Sequence, residues 1–301
     1  MDRLGSMEVL VAAVEAGSFS AAARRLGMPL TTVSRKVSDL EAHLRARLLN
    51  RSSRKLTLTE AGRSYLEACK RILEDINEAE RAATGEFSAP KGELIITAPI
   101  VFGRLHVVPI AADFLKAYPD VDIRFVLADR FVNLLEDHID LAVRIGELPD
   151  SSLVATRIGA VRRVVCGSPS YFAEHGIPKT PADLATHDCI TFQGLSWPDA
   201  WIFTTATGQA SIPVHSRLVV NTASAAIDAA IAGAGITRVL SYQVADAIRA
   251  GTLAIVLDKF ESAPSPISFV YGGQGFLPLK LRAFLDFAMP RLKARLSNIA
   301  T

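Results

Sequence analysis

Between Ser20 and His43 the chain reads SAAARRLGMPLTTVSRKVSDLEAH, two short helical patterns hinged at Leu26-Gly27-Met28. In the first pattern Ala22, Ala23 and Leu26 share a face, and Gly27 supplies the backbone freedom that a tight inter-helix turn requires. In the second, Val33, Val37, Leu40 and Leu44 recur at helical spacing. The opposite face then carries Thr31, Thr32, Ser34, Arg35 and Ser38. A buried stripe would hold such a helix down while its hydroxyls and guanidinium face outward. That is the layout of a helix-turn-helix, whose second helix enters the DNA major groove.

Charge is distributed to match. The chain has 301 residues and a formal net charge of +2, but residues 1–60 hold ten Lys or Arg against six Asp or Glu, leaving 23 against 25 for the rest. A basic head on a mildly acidic body fits a polyanionic partner for the head alone. Half the residues are hydrophobic and the mean hydropathy is +0.26, so a membrane span has to be considered. The most apolar stretch, Ala223 to Ile236, is interrupted by Asp228 and falls short of the roughly 20 apolar residues a span needs. Asp2 and Glu8 spoil an export signal, and three scattered cysteines (Cys69, Cys166, Cys189) suit a reducing compartment, so a cytoplasmic location is expected, away from membranes.

Residues 4–16 read as a helix ahead of the pair, and the second helix has Ser18 and Ser20 as available caps. Pro29 offers no capping side chain to the third helix, so Thr31 is expected to take that place. The stretch 47–58 has two short apolar runs flanking a basic turn, a two-stranded wing whose Arg51, Arg54 and Lys55 would reach a sugar-phosphate backbone. Thr59-Glu60 then opens a long helix in which Tyr65, Cys69, Ile72, Ile76 and Ala79 follow a 4-3-4-3 spacing, the pattern of a dimerisation seam or of an amphipathic helix packed on its own domain. Dimerisation is the favoured expectation, because helix-turn-helix proteins read paired half-sites. Residues 85–92, GEFSAPKG, mark a linker.

From Glu93 onward strands alternate with helices. Strands are expected near 93–97, 121–127, 140–144, 153–158, 162–167, 189–192, 218–221, 236–240, 253–257 and 267–271. Helices are expected near 101–117, 131–138, 169–175, 223–232, 243–250 and 279–296. Such alternation predicts parallel sheets covered on both faces, with a ligand beyond the carboxyl ends of the strands. Thr97, Ala98 and Pro99, Asp129, Arg144, and Asn221 with Thr222 occupy those ends, and Phe192 would supply an apolar wall. The plainer alternative for each is structural: Asn221 and Thr222, for instance, can simply cap the following helix. Arg238 is out of place in an apolar strand, as a ligand counter-charge or a solvent-facing residue.

The order of winged helix-turn-helix, linker helix and about 210 residues of α/β sensor resembles the LysR-type transcriptional regulators along the whole chain. GSFSAAARRLG (17–27), TVSRKVSDLEAHL (32–44) and RLLNRSSRKLTLTEAG (47–62) carry the specific part of the likeness. FLKAYPDVDI (114–123), DLAVRIG (140–146) and AAIAGAGI (229–236) resemble the family's effector domain more loosely. The resemblance implies an α+β multidomain protein whose sensor has two Rossmann-like halves, related to periplasmic solute-binding proteins. Its domains would be 1–58 (DNA-binding), 59–91 (linker helix and hinge) and 92–301, the halves of the last being 92–162 plus 267–301 and 163–266. It further implies a small-molecule effector between the halves, no cofactor, dimers that pair into tetramers on interrupted inverted repeats, and RNA polymerase as a partner. One departure stands out: at the start of the recognition helix Leu30 replaces a polar residue, so a family base contact is lost or replaced by apolar contact with a thymine methyl.

Among the polar residues of that helix, Arg35 is the leading base reader, since a guanidinium bridges guanine O6 and N7; a phosphate contact is its alternative. Lys36 suits a phosphate or solvent, and Arg24 and Arg25 suit an exposed face without function. Cys166 and Cys189 as a redox switch lack a basic cluster to activate them. His187-Asp188-Cys189 matches no common zinc spacing, and Gly233-Ala234-Gly235 lacks the rest of a dinucleotide fingerprint. Two other classes compete with a regulator: a solute-binding protein, opposed by the basic head and the missing export pattern, and an enzyme. No P-loop, HExxH or G-x-S-x-G motif supports the enzyme.

Overall fold

The computed structural model describes residues 2–52, 55–84, 89–130, 132–134, 137–149, 152–192, 200–273 and 277–297, and the chain separates into two compact units, Met1–Ser88 and Ala89–Thr301.

The first unit begins with three helices, α1 (Arg3–Glu15), α2 (Phe19–Leu26) and α3 (Leu30–Leu44). Local chemistry sets their limits. Asp2 caps α1 by accepting from the Gly5 N–H at 2.9 Å, and Ser18 caps α2 by accepting from the Ala21 N–H at 3.1 Å. Gly27, at φ 63°, stops α2 in the left-handed region while the Met28 N–H returns to the Ala23 carbonyl at 3.0 Å. The cap position of α3 is Pro29, with no side-chain hydrogen bond. Thr31 therefore lies inside the helix and is not its cap, because Pro29 already holds the extended conformation from which its carbonyl accepts the Thr32 and Val33 N–H groups.

Val33, Val37 and Leu40 are fully enclosed against Val9, Leu10 and Ala13 of α1 and Ala22 of α2. The antiparallel pair β1 (Leu49–Ser52) and β2 (Lys55–Leu58) forms the wing. Glu41 of α3 ties the wing to the recognition helix, its Oε1 accepting from the Leu48 and Leu49 N–H groups at 2.8 and 3.1 Å. Thr59 caps α4 (Glu60–Thr84) by accepting from the Gly62 N–H at 2.9 Å. Gly62 is needed there for closeness: a Cβ would stand 1.9 Å from the Leu48 carbonyl oxygen.

In the second unit β3 (Gly92–Ala98) leads through α5 (Ile100–Phe102), a π-helical turn at Gly103–Val107 and α6 (Val108–Ala117) to β4 (Val121–Leu127), β5 (Leu141–Ile145) and β6 (Leu153–Val161). Next come β7 (Arg163–Gly167), α7 (Pro169–His175), β8 (Cys189–Phe192), the hairpin β9 (Ala200–Thr205) with β10 (Gly208–Pro213), and β11 (Ser216–Val220). Then follow α8 (Ala223–Ile231), β12 (Ile236–Leu240), α9 (Ser241–Arg249), β13 (Ala254–Val256), β14 (Ser265–Gly272) and α10 (Leu279–Ser297). Two five-stranded sheets result, ordered β4-β3-β5-β14-β6 and β11-β8-β12-β7-β13. The chain passes from the first to the second at Arg162 and returns after Val256.

Two expectations need correcting, and one element was not anticipated. The sheets are mixed, not parallel: β14 runs antiparallel to β5 and β6, and β7 antiparallel to β12 and β13. β7 and β14 each follow a strand of the other sheet, so no strand–helix–strand crossover within their own sheet fixes their direction. The helix expected over 131–138 is absent from its described residues. There the Asp137 carboxylate accepts from the Asn133 N–H at 3.1 Å to close a turn, and Val132 and Leu134 pack on Ile95 and Val270. The β9–β10 hairpin was missed, although Trp201 and Phe203 are buried in alternation with exposed Ile202 and Thr204, the period of a strand.

Candidate nucleic-acid interface and ligand cleft

The outward face of α3 carries the side chains expected there, engaged to different degrees. Leu30 (48% exposed), Thr31 and Arg35 are exposed, and Thr32 and Ser34 are half-buried. Arg35 has no hydrogen bond or ion pair with the described residues. Ser38 donates to the Ser34 carbonyl at 2.9 Å along its own helix. Lys36 departs from expectation: its ammonium pairs with Asp2 Oδ2 at 3.0 Å, bracing α3 against the start of α1 instead of standing free for a phosphate. The Gly5 N–H and Lys36 together hold the Asp2 carboxyl below its usual range. Arg25 is paired with Glu15 at 2.8 Å. In the wing, Arg54 lies outside the described residues, and Arg51 and Lys55 are described in the backbone alone.

On α4 the seam residues divide. Cys69 is fully buried in the core of its own unit, where burial pushes its thiol up to about 11, and Tyr65 packs against the same core. Cys69 therefore serves the intramolecular packing that was the alternative reading, since α4 lies on α1 at that level. Ile72 is 40% exposed and Ile76 partly so; Ala79 is described in the backbone alone.

A cavity of ≈ 240 Å³ opens between the two sheets of the second unit. Of the expected residues, Pro99, Asp129, Arg144 and Phe192 line it. Thr97 does not: fully buried, its hydroxyl donates to the Val126 carbonyl of the neighbouring strand at 2.7 Å. Ala98 is buried in the core of the first half. Thr222 caps α8 by accepting from the Ala225 N–H at 3.2 Å, and neither it nor Asn221 reaches the cavity. Thr97 and Ala98 point to opposite faces of β3 and both are buried, while Thr222 is spent on a helix cap, so a place at a strand end does not by itself put a side chain in the cleft.

The lining is completed by residues of the second half. Arg163 on β7, Trp201 on β9, Arg238 on β12, and Tyr242 and Gln243 on α9 all face the space. Burial pushes Arg163 down from its ordinary value, and burial together with the neighbouring Arg163 charge brings Arg238 to about 10. Tyr242, pushed up by burial, stays a neutral hydroxyl. Its ring meets Phe102 edge-on at 5.4 Å and His106 at 5.5 Å, both in the helical turn after β3. Asp129 Oδ1 accepts from the Ile100 N–H at 2.9 Å and Arg144 donates to the Val132 carbonyl at 2.7 Å. A clue to Arg238 existed in its apolar strand; Arg163 gave none.

Elsewhere, Cys166 and Cys189 sit on β7 and β8 with β12 between them, and burial pushes both thiols up to about 12. His187 meets the Tyr171 hydroxyl and Asp188 pairs with Arg217; no cluster of three or more potential ligands for a metal occurs among the described residues. No helix among them is long and apolar enough to cross a membrane.

A polar-faced helix in a winged head, followed by a two-sheet domain with a cleft, is the architecture of a ligand-responsive DNA-binding protein. Residues 4–63 match the model of the bacterial regulatory helix-turn-helix proteins of the lysR family, and residues 88–293 that of the LysR substrate binding domain. The chain is 35% identical to an HTH-type transcriptional repressor of Pseudomonas aeruginosa, covering 96% of this chain and 92% of the relative. It is 34% identical to the HTH-type transcriptional activator AaeR of Escherichia coli, over 95% and 93% respectively. Among solved structures it is similar to CrgA, a LysR-type transcriptional regulator from Neisseria meningitidis, with a TM-score of 0.62, 33% identity and coverage of 96% and 98%. The full-length Vibrio cholerae virulence activator AphB matches with a TM-score of 0.61 and 29% identity over 95% and 98%. The chain belongs to the LysR family of transcriptional regulators: it is a DNA-binding regulator with an effector-binding domain, not an enzyme.

Proposed function

We propose that this regulator works as a cytoplasmic homo-oligomer, at least a dimer and in its full form a tetramer, that grips paired half-sites of duplex DNA and acts on RNA polymerase there. In this reading α3 enters the major groove. Arg35, Thr32, Ser34 and Thr31 read or border the bases, Leu30 meets a thymine methyl, and Arg51, Arg54 and Lys55 follow the backbone. Ser38 borders the same face, and Lys36 holds the helix in place. Exposed Ile72 and half-buried Ile76 are covered by a second copy, with Ala79 of the same stripe alongside.

A small effector occupies the cleft against Pro99, Asp129, Arg144 and Phe192. Its binding favours one arrangement of the assembly over another and so changes the bend of the bound DNA. The observation that carries the reading is the outer face of α3, where Arg35 stands exposed above a helix anchored by three fully enclosed apolar residues. Fluorescence anisotropy with the duplex flanking the regulator's own gene tests it. Affinity is expected to fall steeply and log-linearly with salt, as counterion release demands. Binding that is absent, or insensitive to salt, would overturn it.

A further inference from the structure

Arg163 and Arg238 lie on adjacent antiparallel strands, Arg163 opposite Leu240 and Arg238 opposite Val165. Residues 163 and 165 share a face, so the two guanidinium groups are diagonal neighbours on the cavity side of one sheet. Neither touches a carboxylate. The Arg163 side chain has no hydrogen bond or ion pair with the described residues. Arg238 donates to two neutral oxygens, the Ile202 carbonyl at 2.6 Å and Ser262 Oγ at 3.4 Å; its Nε is enclosed without a partner, and the Phe203 ring lies 5.2 Å away.

The nearby acids are occupied or distant. Glu261 acts on the Arg238 charge without touching it and pairs with Arg162 at 3.4 Å, Asp129 accepts from Ile100, and Glu147 is an exposed residue of the rim. Among the described residues, the lining sets Arg130, Arg163 and Arg238 against Asp129 and Glu147, while Arg144 is engaged at the Val132 carbonyl. Two like charges held together and half withdrawn from water are costly unless an anion joins them. Around them Ile190, Phe192, Trp201 and Leu240 make an apolar wall, and the neutral Tyr242 hydroxyl adds a donor.

Accepting the cleft as the effector site, we infer that the effector is a small organic carboxylate whose charged end is taken by Arg163 and Arg238 and whose apolar body lies on Phe192 and Trp201. A carboxylate matches the planar fork of a guanidinium. The apolar wall disfavours a bare inorganic anion, and the cavity of ≈ 240 Å³ lies below the ~300–1,000 Å³ typical of drug-sized ligands.

The test uses the full chain and a panel of small aromatic and aliphatic carboxylates with benzoate at its head, each beside its neutral amide, with inorganic phosphate as a further arm. Thermal shift and calorimetric titration are read for the wild type and for Arg163→Gln, Arg238→Gln and Thr191→Trp. Carboxylates are expected to bind and to raise the melting temperature where amides and phosphate do not. Each arginine substitution is expected to weaken that binding by about 10- to 100-fold, the loss of a charge-assisted hydrogen bond. Arg163→Gln is also expected to raise the melting temperature of the ligand-free protein, because it relieves a like-charge contact; a merely structural arginine would lower it.

Thr191→Trp fills the cavity without altering its charge. If it abolishes binding of amides and acids alike while the arginine variants bind as before, the cleft is the effector site and the carboxylate assignment is wrong. If the acids still bind to it unchanged, the cleft reading itself fails. Phosphate binding as tightly as the acids, or no carboxylate binding at all, overturns the carboxylate assignment.

Discussion

The outer face of α3 and the walls of the cleft are both polar, yet they hold their polar groups in opposite ways. On α3 the guanidinium of Arg35 stands in solvent, and the helix beneath it is fixed by Val33, Val37 and Leu40. In the cleft, Asp129 and Arg144 are already engaged with the backbone, and Thr97 has turned its hydroxyl away to Val126. A surface that meets a long, regular polyanion can leave its donors solvated until contact. A pocket that meets a small molecule has to hold its donors in place beforehand, so most of its polar residues serve the walls and only a few remain for the ligand.

Three substitutions can break or sharpen this contrast. Arg35→Ala is expected to have the largest effect, about 1–3 kcal/mol weaker binding at the preferred duplex together with weaker discrimination between duplexes. Competitive anisotropy measures both, and an unchanged preference at unchanged affinity would mean that the exposed face is not what reads DNA. Thr97→Val is expected to lower unfolding stability in denaturant by about 0.5–1.5 kcal/mol, because a buried hydrogen bond is lost, while ligand response stays normal. A blunted response at full stability would return Thr97 to the ligand site. Lys36→Ala is expected to do least: with the ammonium engaged by Asp2, the salt dependence of DNA binding should stay the same. A slope shallower by about 1 would show the pair opening on a phosphate.

The contrast also explains what could be read from the sequence. Helical spacing assigns each residue of α3 to a face unaided, so Val33, Val37 and Leu40 fell inside and Arg35 outside as the 3.6-residue period requires. Lys36 escaped because its partner Asp2 lies 34 positions away, beyond any local pattern. In the sensor most strands and helices were readable from their apolar runs, but strand direction was not, since nothing in β7 announces that it enters from the other half. The side to which Thr97 points depends on which strand lies beside it, and that is settled only when the sheet assembles. Arg163 was invisible for the same reason: its meaning comes from being diagonal to Arg238.

Tyr242 has one further consequence. The chain delivers it on α9, from the half that contains β12, yet its ring is packed in the core of the other half with Phe102 and His106. Prising the halves widely apart would strip an aromatic ring of its apolar neighbours, at a cost of about 1.5–3 kcal/mol. Tyr242 thus behaves as a pivot pin: the halves can rock or twist about it far more cheaply than they can gape. Because the same residue also fronts the cavity, whatever settles there presses close to the axis of that rocking.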